Sequence, residues 1–234
     1  MCGRYTIAVT MQQLMMFYQI EEQPNDLHLP RFNVAPTQLV PAIIHDGIAN
    51  RLGSLRWGLV PSWAKDEKIG SKMINARAET VAEKPAFKKL IAHKRCIIPA
   101  DGFYEWKQGA NGKQPMRITL RSGQLFAMAG LYDTWLSPSG EKLHTCTIIT
   151  TEPNKLVAEI HNRMPVILHP EAEQQWLDRK ITNVQRLLPL LEPYPEEIMR
   201  AYPVSKNVGN VGNDNEQLIL ELDEPATMEQ GRLF

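Results

Sequence analysis

Short apolar runs separated by turn-forming residues dominate the middle of this chain. The runs are rich in β-branched and aromatic residues, and segments containing Gly, Ser or Pro divide them at 109–112, 122–123 and 137–140. This pattern predicts strands joined by tight turns. The expected strands lie at 95–99, 102–107, 114–120, 125–131 and 143–150. Consecutive hairpins of this kind predict a largely antiparallel sheet that curls or closes into a barrel-like core.

Helical spacing appears on both sides of the strand-rich region. Thr10 and Gln13 match a capping box, and apolar residues follow at helical spacing, so a helix is expected near residues 10–20. Further helices are expected at 153–161, 170–177 and 182–191, and further strands at 40–45 and 50–57. Separate strands and helices of this kind predict an α+β fold. We expect one domain over residues 1–220, with peripheral helices and a flexible acidic tail at 221–234.

The composition is that of an ordinary globular protein. The chain has 234 residues, of which 43% are hydrophobic and 22% charged. Its three cysteines, Cys2, Cys96 and Cys146, are odd in number and widely spaced, which argues against a disulfide framework or a zinc site and favours a reducing cytoplasm. No signal peptide or membrane-spanning apolar stretch is visible. We therefore expect a cytoplasmic protein without a metal or cofactor.

A net charge of zero conceals an uneven distribution of charge. Residues 211–234 contain six acids and one base, so residues 1–210 hold 25 bases and 20 acids, a net charge of +5. A basic cluster lies within residues 84–95, formed by Lys84, Lys88, Lys89, Lys94 and Arg95. Such a cluster is either a solvated helix face or a stripe that binds phosphates.

Cys2 is the first candidate for chemistry. Cysteine is small enough for Met1 to be removed, and removal would leave a thiol and a free α-amine on one carbon. The α-amine has an ordinary pKa of about 7.7–8, so much of it is neutral and nucleophilic near pH 7. A terminal cysteine can attack a carbonyl through sulfur, or condense with an aldehyde through nitrogen. The alternative is a small second residue without a chemical role.

Two short segments carry further polar candidates. Asn75 and Arg77 would share one face of an extended segment, about 6–7 Å apart, and the arginine fork suits a phosphate. Glu105 lies among Phe103, Tyr104 and Trp106, where partial desolvation would suit a proton shuttle. The alternatives are two surface polar residues at a strand end, and a Glu105 that pairs with a nearby base in water.

His161 is expected at the C-terminal end of a helix, because Pro165 disfavours helical geometry just before it. There the helix dipole would favour the protonated imidazole. His161 shares a helical stripe with Val157, so it should point inward, whereas Glu159 and Arg163 are spaced to pair on the exposed side. A capping or half-buried histidine without a catalytic role is the alternative.

These segments, taken together, resemble the SOS-response-associated peptidase (SRAP) family, which handles abasic sites in single-stranded DNA. The matching stretches follow one another over residues 1–207: MCGR at 1–4, NVAP at 33–36, RWGLVP at 56–61, INARAE at 74–79, RCIIPADGFYEW at 95–106, EIHNRMP at 159–165 and PVS at 203–205.

The resemblance implies an SRAP fold and a role for each matching residue. Cys2 would be the nucleophile after Met1 is removed, Asn75 would orient its amine, Glu105 would move protons, and His161 would assist opening of the deoxyribose ring and later reversal. The DNA-binding residues would be Arg4 and Arg77, which grip phosphates, and Asn33, Pro36, Trp57, Trp63 and Trp106, which shape the groove or stack on bases.

It further implies a covalent thiazolidine link between Cys2 and the abasic aldehyde, self-cleavage of Met1, and a lyase side activity. The expected partner is single-stranded DNA that contains abasic sites, bound by a monomer.

Three other functions fit parts of the sequence. Class II glutamine amidotransferases also begin Met-Cys-Gly, but they usually need a second synthetase domain for which this chain leaves no space, and Asn111-Gly112 is better explained as a hairpin turn than as an oxyanion pair. A non-catalytic single-stranded-DNA-binding module would use the groove alone and leave Cys2 incidental. A protease with other substrates would need an extended cleft and a triad of its own, which the sequence does not suggest.

Overall fold

The computed structural model describes residues 2–109 and 112–222. Within them the strands are β1 (Tyr5–Ile7), β2 (Arg31–Val34), β3 (Leu39–His45), β4 (Asn50–Trp57), β5 (Asn75–Arg77), β6 (Arg95–Ala100), β7 (Gly102–Gly109), β8 (Gly112–Leu120), β9 (Phe126–Leu136), β10 (Lys142–Thr151), β11 (Met164–Pro165), β12 (Ile167–Leu168) and β13 (Met199–Pro203). The α-helices are α1 (Met11–Tyr18), α2 (Leu90–His93), α3 (Lys155–Ala158) and α4 (Pro170–Leu177).

The core of the fold is a closed ring of strands. In the larger sheet β4 pairs with β3, β3 with β6, β6 with β9, and β9 with β10, and β10 returns to β4. All of these pairings are antiparallel except β10 with β4. The predicted α+β domain with a curled, barrel-like core is therefore confirmed. Apolar side chains of the ring, such as Ile97, Met128 and Ile148, are fully buried.

Close packing inside the ring explains why β9 carries a glycine. A Cβ atom at Gly130 would lie 2.9 Å from the Cys96 sulfur and 3.2 Å from the Thr147 carbonyl oxygen. A side chain at position 130 would therefore force neighbouring strands apart, and interiors packed at crystal-like density resist that change.

A second, antiparallel sheet carries the N-terminus. Its strand order is β13-β8-β7-β1-β2, so β1 lies between β7 and β2. Tyr5 is opposite Phe103 of β7, and the Tyr104 amide donates a hydrogen bond to the Arg4 carbonyl oxygen at 3.0 Å. This pairing brings the first residues of the chain beside the middle of β7, where Glu105 lies. Strands β1, β2 and β13 did not stand out in the sequence pattern, because each has five residues or fewer.

The helix predictions have mixed outcomes. Helix α1 begins with the predicted capping box, in which the Gln13 amide donates to Thr10 Oγ1 and the Thr10 amide donates to Gln13 Oε1. Helix α4 occupies the predicted segment. The helix expected at 153–161 shortens to the single turn of α3. The helix expected at 182–191 is wrong: 3-10 turns occupy Val184–Arg186 and Leu188–Leu190. Pro189 lies inside that segment and has no amide hydrogen to continue an α-helix.

The basic cluster at 84–95 separates into an exposed part and a structural part. Lys84, Lys88 and Lys89 are exposed. Lys94 pairs with the buried Asp133 at 2.7 Å. Arg95 is buried, donates to backbone carbonyl oxygens of Trp176 and Asp178, and lies over the Trp176 ring. Only the three lysines can therefore belong to a surface stripe.

Two of the expected features fall partly on residues that the structure does not describe. Residues 110 and 111 of the turn expected at 109–112, and most of the acidic tail, at 223–234, lie outside the described residues. Over 2–109 and 112–222, no helix is long and apolar enough to cross a membrane.

Candidate active site

Cys2 is buried beside β7, next to Glu105. Cys2 is fully excluded from solvent. Burial raises the pKa of the Cys2 thiol well above its ordinary value, and the nearby Glu105 charge raises it further, whereas a hydrogen bond from the Arg4 amide lowers it. Because desolvation dominates, the thiol stays protonated at neutral pH. Its sulfur can act as a nucleophile only if a neighbouring base removes the proton.

Glu105 is the neighbour able to do this. It lies in the middle of β7, opposite Met116 of β8, and is only 3% exposed. Burial raises the pKa of its carboxyl to about 7. A carboxyl with this pKa is close to half ionised at neutral pH, so it can both accept and donate a proton there.

His161 is the second titratable side chain beside Glu105. It follows the single turn of α3, and its amide donates to the Val157 carbonyl oxygen at 2.8 Å. Its Nδ1 lies 3.8 Å from Glu105 Oε1 and accepts a hydrogen bond from the Arg163 amide at 3.1 Å. Burial lowers the pKa of His161, so the expected preference for the protonated form is wrong: α3 is one turn long, and desolvation outweighs a short helix dipole.

Arg163 is held by a residue that the sequence spacing did not suggest. Its guanidinium forms a two-pronged ion pair with Glu79, at 2.6 and 3.0 Å, and donates to the Thr150 carbonyl oxygen at 2.6 Å. The expected pairing with Glu159 is therefore wrong, because the helix ends at Ala158 and the spacing of a helical pair is lost. Arg163 is a residue of the site region that sequence reasoning assigned to the exposed surface.

Asn75 and Arg77 lie on β5, which runs parallel to β10. Both residues line one cavity of about 520 Å³, as the alternation predicts for residues two apart. The Asn75 amide nitrogen donates to the Ile148 carbonyl oxygen at a long 3.4 Å. Its Oδ1 is buried, and within the described part of the chain no donor reaches it. This oxygen is therefore available to a donor that enters the site.

The same cavity has an aromatic and a basic wall. Trp63 is 61% exposed and lines the cavity together with Phe87 and Lys84. A strand of nucleic acid needs aromatic faces for its bases and positive charge for its phosphates, and this wall provides both. Lys84 belongs to the basic cluster noted in the sequence, whereas Phe87 was not singled out, since an apolar residue within a basic run gives no sign of which way it faces.

The part of the chain that the structure describes contains no group of three or more His, Cys, Asp or Glu side chains placed to hold a metal ion.

Comparison with known proteins identifies the family. The family model described as "SOS response associated peptidase (SRAP)" matches residues 1–211. The chain belongs to the SRAP family.

Similar proteins cover almost the whole SRAP chain. "Abasic site processing protein YoqW" of Bacillus subtilis (strain 168) is 53% identical over 94% of this chain and 99% of its own. "Abasic site processing protein HMCES" of Gallus gallus is 34% identical over 83% of this chain and 67% of its own. A crystal structure of a protein from Bacteroides thetaiotaomicron superposes with a TM-score of 0.84 at 30% identity, over 94% of this chain and 100% of its own.

Two residues expected at the DNA surface of this SRAP protein are in fact buried. Trp57 is fully buried, packs edge-on against Tyr5 and donates from Nε1 to the Ile74 carbonyl oxygen at 2.9 Å. It therefore cannot stack on a base, and it supports β5 just before Asn75. Asn33 is also fully buried, and its amide donates to the carbonyl oxygens of residues 208, 210 and 213. Both side chains are buried, so their expected part in DNA binding would be to shape the groove, and that role stays a prediction.

Arg4 joins the SRAP N-terminus to the C-terminal segment. Its terminal nitrogens donate to Asn33 Oδ1 at 2.7 Å and to the carbonyl oxygens of Val208 and Gly209 at 2.7 and 3.2 Å. Asp214 reinforces the same junction, because it accepts hydrogen bonds from two β2 amides. No sequence signal connected these residues, which lie about 200 positions apart along the chain. A phosphate contact by Arg4 stays a prediction.

The remaining SRAP groove residues lie in different surroundings. Pro36 is half-buried in the turn after β2. Trp106 is half-buried against a small cluster that includes Tyr104 and Val204, on the face of β7 opposite to Glu105. DNA contacts by Pro36, Trp63, Arg77 and Trp106 stay predictions.

Proposed function

We propose that this SRAP protein captures abasic sites in single-stranded DNA through a covalent thiazolidine bond to Cys2, after Met1 is removed. The observation that carries the proposal is the burial of the Cys2 thiol beside Glu105, a carboxyl whose pKa burial raises to about 7. The names of the relatives, which describe abasic site processing, support the choice of lesion.

An abasic deoxyribose opens to an aldehyde, an electrophile that no intact nucleotide presents. The Cys2 α-amine adds to the aldehyde carbon, and loss of water gives an imine. The Asn75 Oδ1, which has no donor among the described residues, would accept a hydrogen bond from this amine and orient its lone pair. Protonated Glu105 supplies the proton with which the hydroxyl group leaves as water.

Ring closure then uses the thiol. Ionised Glu105 removes the proton from Sγ, sulfur bonds to the imine carbon, and the former C=N electron pair accepts a proton on nitrogen. One aldehyde and one aminothiol have become a thiazolidine and a molecule of water. Closure removes the iminium, which would otherwise promote β-elimination and strand cleavage. That elimination from the open iminium would be the lyase side activity. His161, whose Nδ1 faces Glu105 at 3.8 Å, would assist opening of the sugar ring and reversal.

Met1 has to be removed before the amine can react, because until then the Cys2 nitrogen is part of a peptide bond. Hydrolysis of that bond consumes one water molecule and releases methionine. We propose that Cys2 and its neighbours carry out this cleavage, and the word peptidase in the family description is compatible with such an activity.

Non-covalent binding precedes the chemistry. The exposed Trp63 ring and the Arg77 guanidinium lie on the cavity that also contains Asn75, so a base and a phosphate next to the lesion would have partners there. Such contacts tolerate any sequence, so binding should favour single strands and weaken with salt.

The test mixes protein that lacks Met1 with a single-stranded oligonucleotide carrying one abasic site, and analyses the mixture on a denaturing gel. We expect a heat-resistant shifted band that is absent with intact DNA and with Cys2→Ala. Cys96→Ala, which removes another buried thiol, should keep the band. With Cys2→Ser the amine remains but the thiol is lost, so a band should form only after borohydride reduction of the imine. If correctly processed protein gives no band, the proposal fails, and release of ammonia from glutamine becomes the next assay.

A further inference from the structure

A small basic recess lies on the face of β7, β8 and β13 that is opposite to Glu105. Glu105 is paired with Met116, and the next pair along the ladder is Tyr104 with Arg117, so Arg117 projects to the other face. The recess has a volume of about 220 Å³ and is lined by Asp101, Arg117, Thr119, Arg121, Arg200 and Tyr202. The cavity at Asn75 shares none of these residues.

The strand register brings three arginines together here. Arg117 lies opposite Tyr202 and Thr119 opposite Arg200 in the β8–β13 ladder. The Arg121 amide continues the ladder with a hydrogen bond to the Ile198 carbonyl oxygen at 2.8 Å. Residues 117, 119 and 121 alternate with positions that face the other way, so both Arg117 and Arg121 share a face with Arg200. This convergence depends on pairing between distant strands.

The three arginines differ in how far carboxylates of the protein already neutralise their positive charges. Arg117 is buried and pairs with the half-buried Asp101 at 2.9 Å. Arg200 pairs with Glu221 at 2.6 Å, but both side chains are about half exposed, so water and salt weaken this pair. Arg121 is exposed and donates from Nε to the backbone carbonyl oxygen of Glu197, and over the described ranges no carboxylate pairs with it. The recess therefore keeps positive charge on Arg121 and Arg200.

The geometry favours a phosphate group over a base or an aromatic ligand. The guanidinium of Arg200 lies over the Tyr202 ring at 4.4 Å and that of Arg117 at 6.0 Å, so the aromatic face is already covered. The volume is below the 300 Å³ or so at which pockets begin to enclose drug-sized molecules. Planar guanidinium forks match phosphate oxygens, and the Thr119 hydroxyl adds a donor.

We propose that this recess is a second phosphate-binding site, in which Arg121 and Arg200 hold a phosphate group. The phosphate belongs either to the backbone of the DNA strand that extends beyond the lesion, or to a free phosphate-bearing molecule. The DNA source rests on the proposed function. Strand β13 forms the edge of its sheet, so a strand held at the Cys2 face would have to pass around that edge to reach the recess.

The experiment compares Arg121→Gln/Arg200→Gln with Lys142→Gln/Lys180→Gln, a control that removes the same charge from other exposed positions. Fluorescence anisotropy measures binding of intact single strands of about 6 and about 30 nucleotides, lengths that lie within and beyond typical single-strand site sizes. We expect the arginine variant to bind the short strand as the control does. It should bind the long strand roughly tenfold more weakly, with a salt slope smaller by about 1–2.

A second arm titrates inorganic phosphate into the protein without DNA and follows the arginine Nε–H signals by NMR. Saturable shifts of Arg121 and Arg200, with unchanged binding of long DNA by the arginine variant, would support the site and assign it to a free phosphate-bearing molecule. Loss of long-strand affinity assigns it to DNA. The site is overturned if the arginine variant binds long DNA as the control does and inorganic phosphate causes no saturable shift of the Arg121 and Arg200 signals. Covalent capture of a short abasic strand is measured in parallel, so that failure of the Cys2 chemistry is distinguished from failure of this site.

Discussion

The Nδ1 atom of His161 and the Oε1 atom of Glu105 lie 3.8 Å apart, although one residue follows α3 and the other is in the middle of β7. Burial shifts the two groups in opposite directions: it raises the pKa of Glu105 to about 7 and lowers the pKa of His161. Desolvation favours the neutral form of each group. Because its pKa is about 7, Glu105 therefore needs little free energy to exchange a proton with a substrate near neutral pH.

The first prediction concerns the dependence of crosslinking on Glu105. In Glu105→Gln the side chain keeps its shape but cannot exchange a proton, so the crosslinking rate should fall by about 10²–10⁴-fold, the usual contribution of a general acid–base group. The inflection near pH 7 in the rate profile of the unchanged protein should also disappear. Single-turnover gels from pH 5.5 to 8.5 measure both effects. An unchanged rate in the variant would remove Glu105 from the mechanism.

The second prediction concerns stability and pH. Because burial raises the pKa of Glu105 from 4.5 to about 7, the folded protein holds this proton more tightly than the unfolded chain does. Stability from the protonated carboxyl is complete below about pH 4.5 and is lost as the pH rises through about 7, by a few kcal/mol. Glu105→Gln should therefore be more stable than the unchanged protein at pH 8.

Urea unfolding at pH 5 and pH 8, with the N-terminus processed alike in both proteins, measures this difference. Glu173, whose pKa burial also raises to about 7, serves as a control. Like Glu105→Gln, Glu173→Gln should lose less stability than the unchanged protein on going from pH 5 to pH 8, but its crosslinking should be unchanged. A Glu105→Gln protein that loses stability on going from pH 5 to pH 8 as much as the unchanged protein does would contradict the assignment.

The third prediction separates orientation from folding at Asn75. Its single hydrogen bond, to Ile148, is 3.4 Å long, and its Oδ1 finds no donor within residues 2–109 and 112–222. Asn75→Ala should therefore change the free energy of unfolding by less than about 1 kcal/mol. The crosslinking rate should fall at least about tenfold, since a misplaced nucleophile loses its near-attack geometry. A variant with unchanged crosslinking would show that the amine is oriented by another group.

The fourth prediction contrasts two tryptophans. Trp63→Ala removes an exposed ring and should weaken binding of single-stranded DNA by about 1–3 kcal/mol, the usual value for stacking on one base, with no change in melting temperature. Trp57→Phe removes a buried indole that donates to Ile74, so it should destabilise the fold by about 1–3 kcal/mol. Anisotropy and thermal unfolding of both variants measure the contrast. If Trp63→Ala instead destabilised the fold and Trp57→Phe weakened DNA binding, Trp57 and not Trp63 would be the residue that contacts DNA.

The fifth prediction tests the junction between the two ends of the chain. Asn33→Ala removes the three hydrogen bonds to the carbonyl oxygens of residues 208, 210 and 213 and the bond from Arg4 to Asn33 Oδ1, although Arg4 still donates to Val208 and Gly209. The free energy of unfolding should therefore fall by about 2–4 kcal/mol. Asn207→Ala, at an exposed position of the same C-terminal segment, is the control and should lose less than about 1 kcal/mol. Equal stability of the two variants would mean that the junction contributes little.

Local patterns in the sequence were enough to predict several elements. The hydrogen bonds of the capping box join Thr10 and Gln13, which are three residues apart, and Pro170 has a backbone geometry that suits the first turn of α4. Both helix starts are therefore determined by neighbouring residues. The short apolar runs bounded by turn residues predicted the barrel strands for the same reason, since most positions of β6, β9 and β10 are buried and each strand is therefore a nearly continuous apolar run in its own sequence. The helix expected at 182–191 failed because one proline outweighed the apolar spacing.

The sequence by itself determined the α+β class, the curled sheet, and the SRAP motifs that contain Cys2, Asn75, Glu105 and His161. Only the tertiary structure decided which side chains face the site. Trp57 and Trp63 lie close together in the sequence, yet one is fully buried and the other is 61% exposed. Likewise, Arg163 pairs with Glu79, and not with the Glu159 that its spacing favoured. The physical reason is that burial, pKa and ion pairing depend on which distant strands pack together, and that information is not contained in the spacing of residues along the chain.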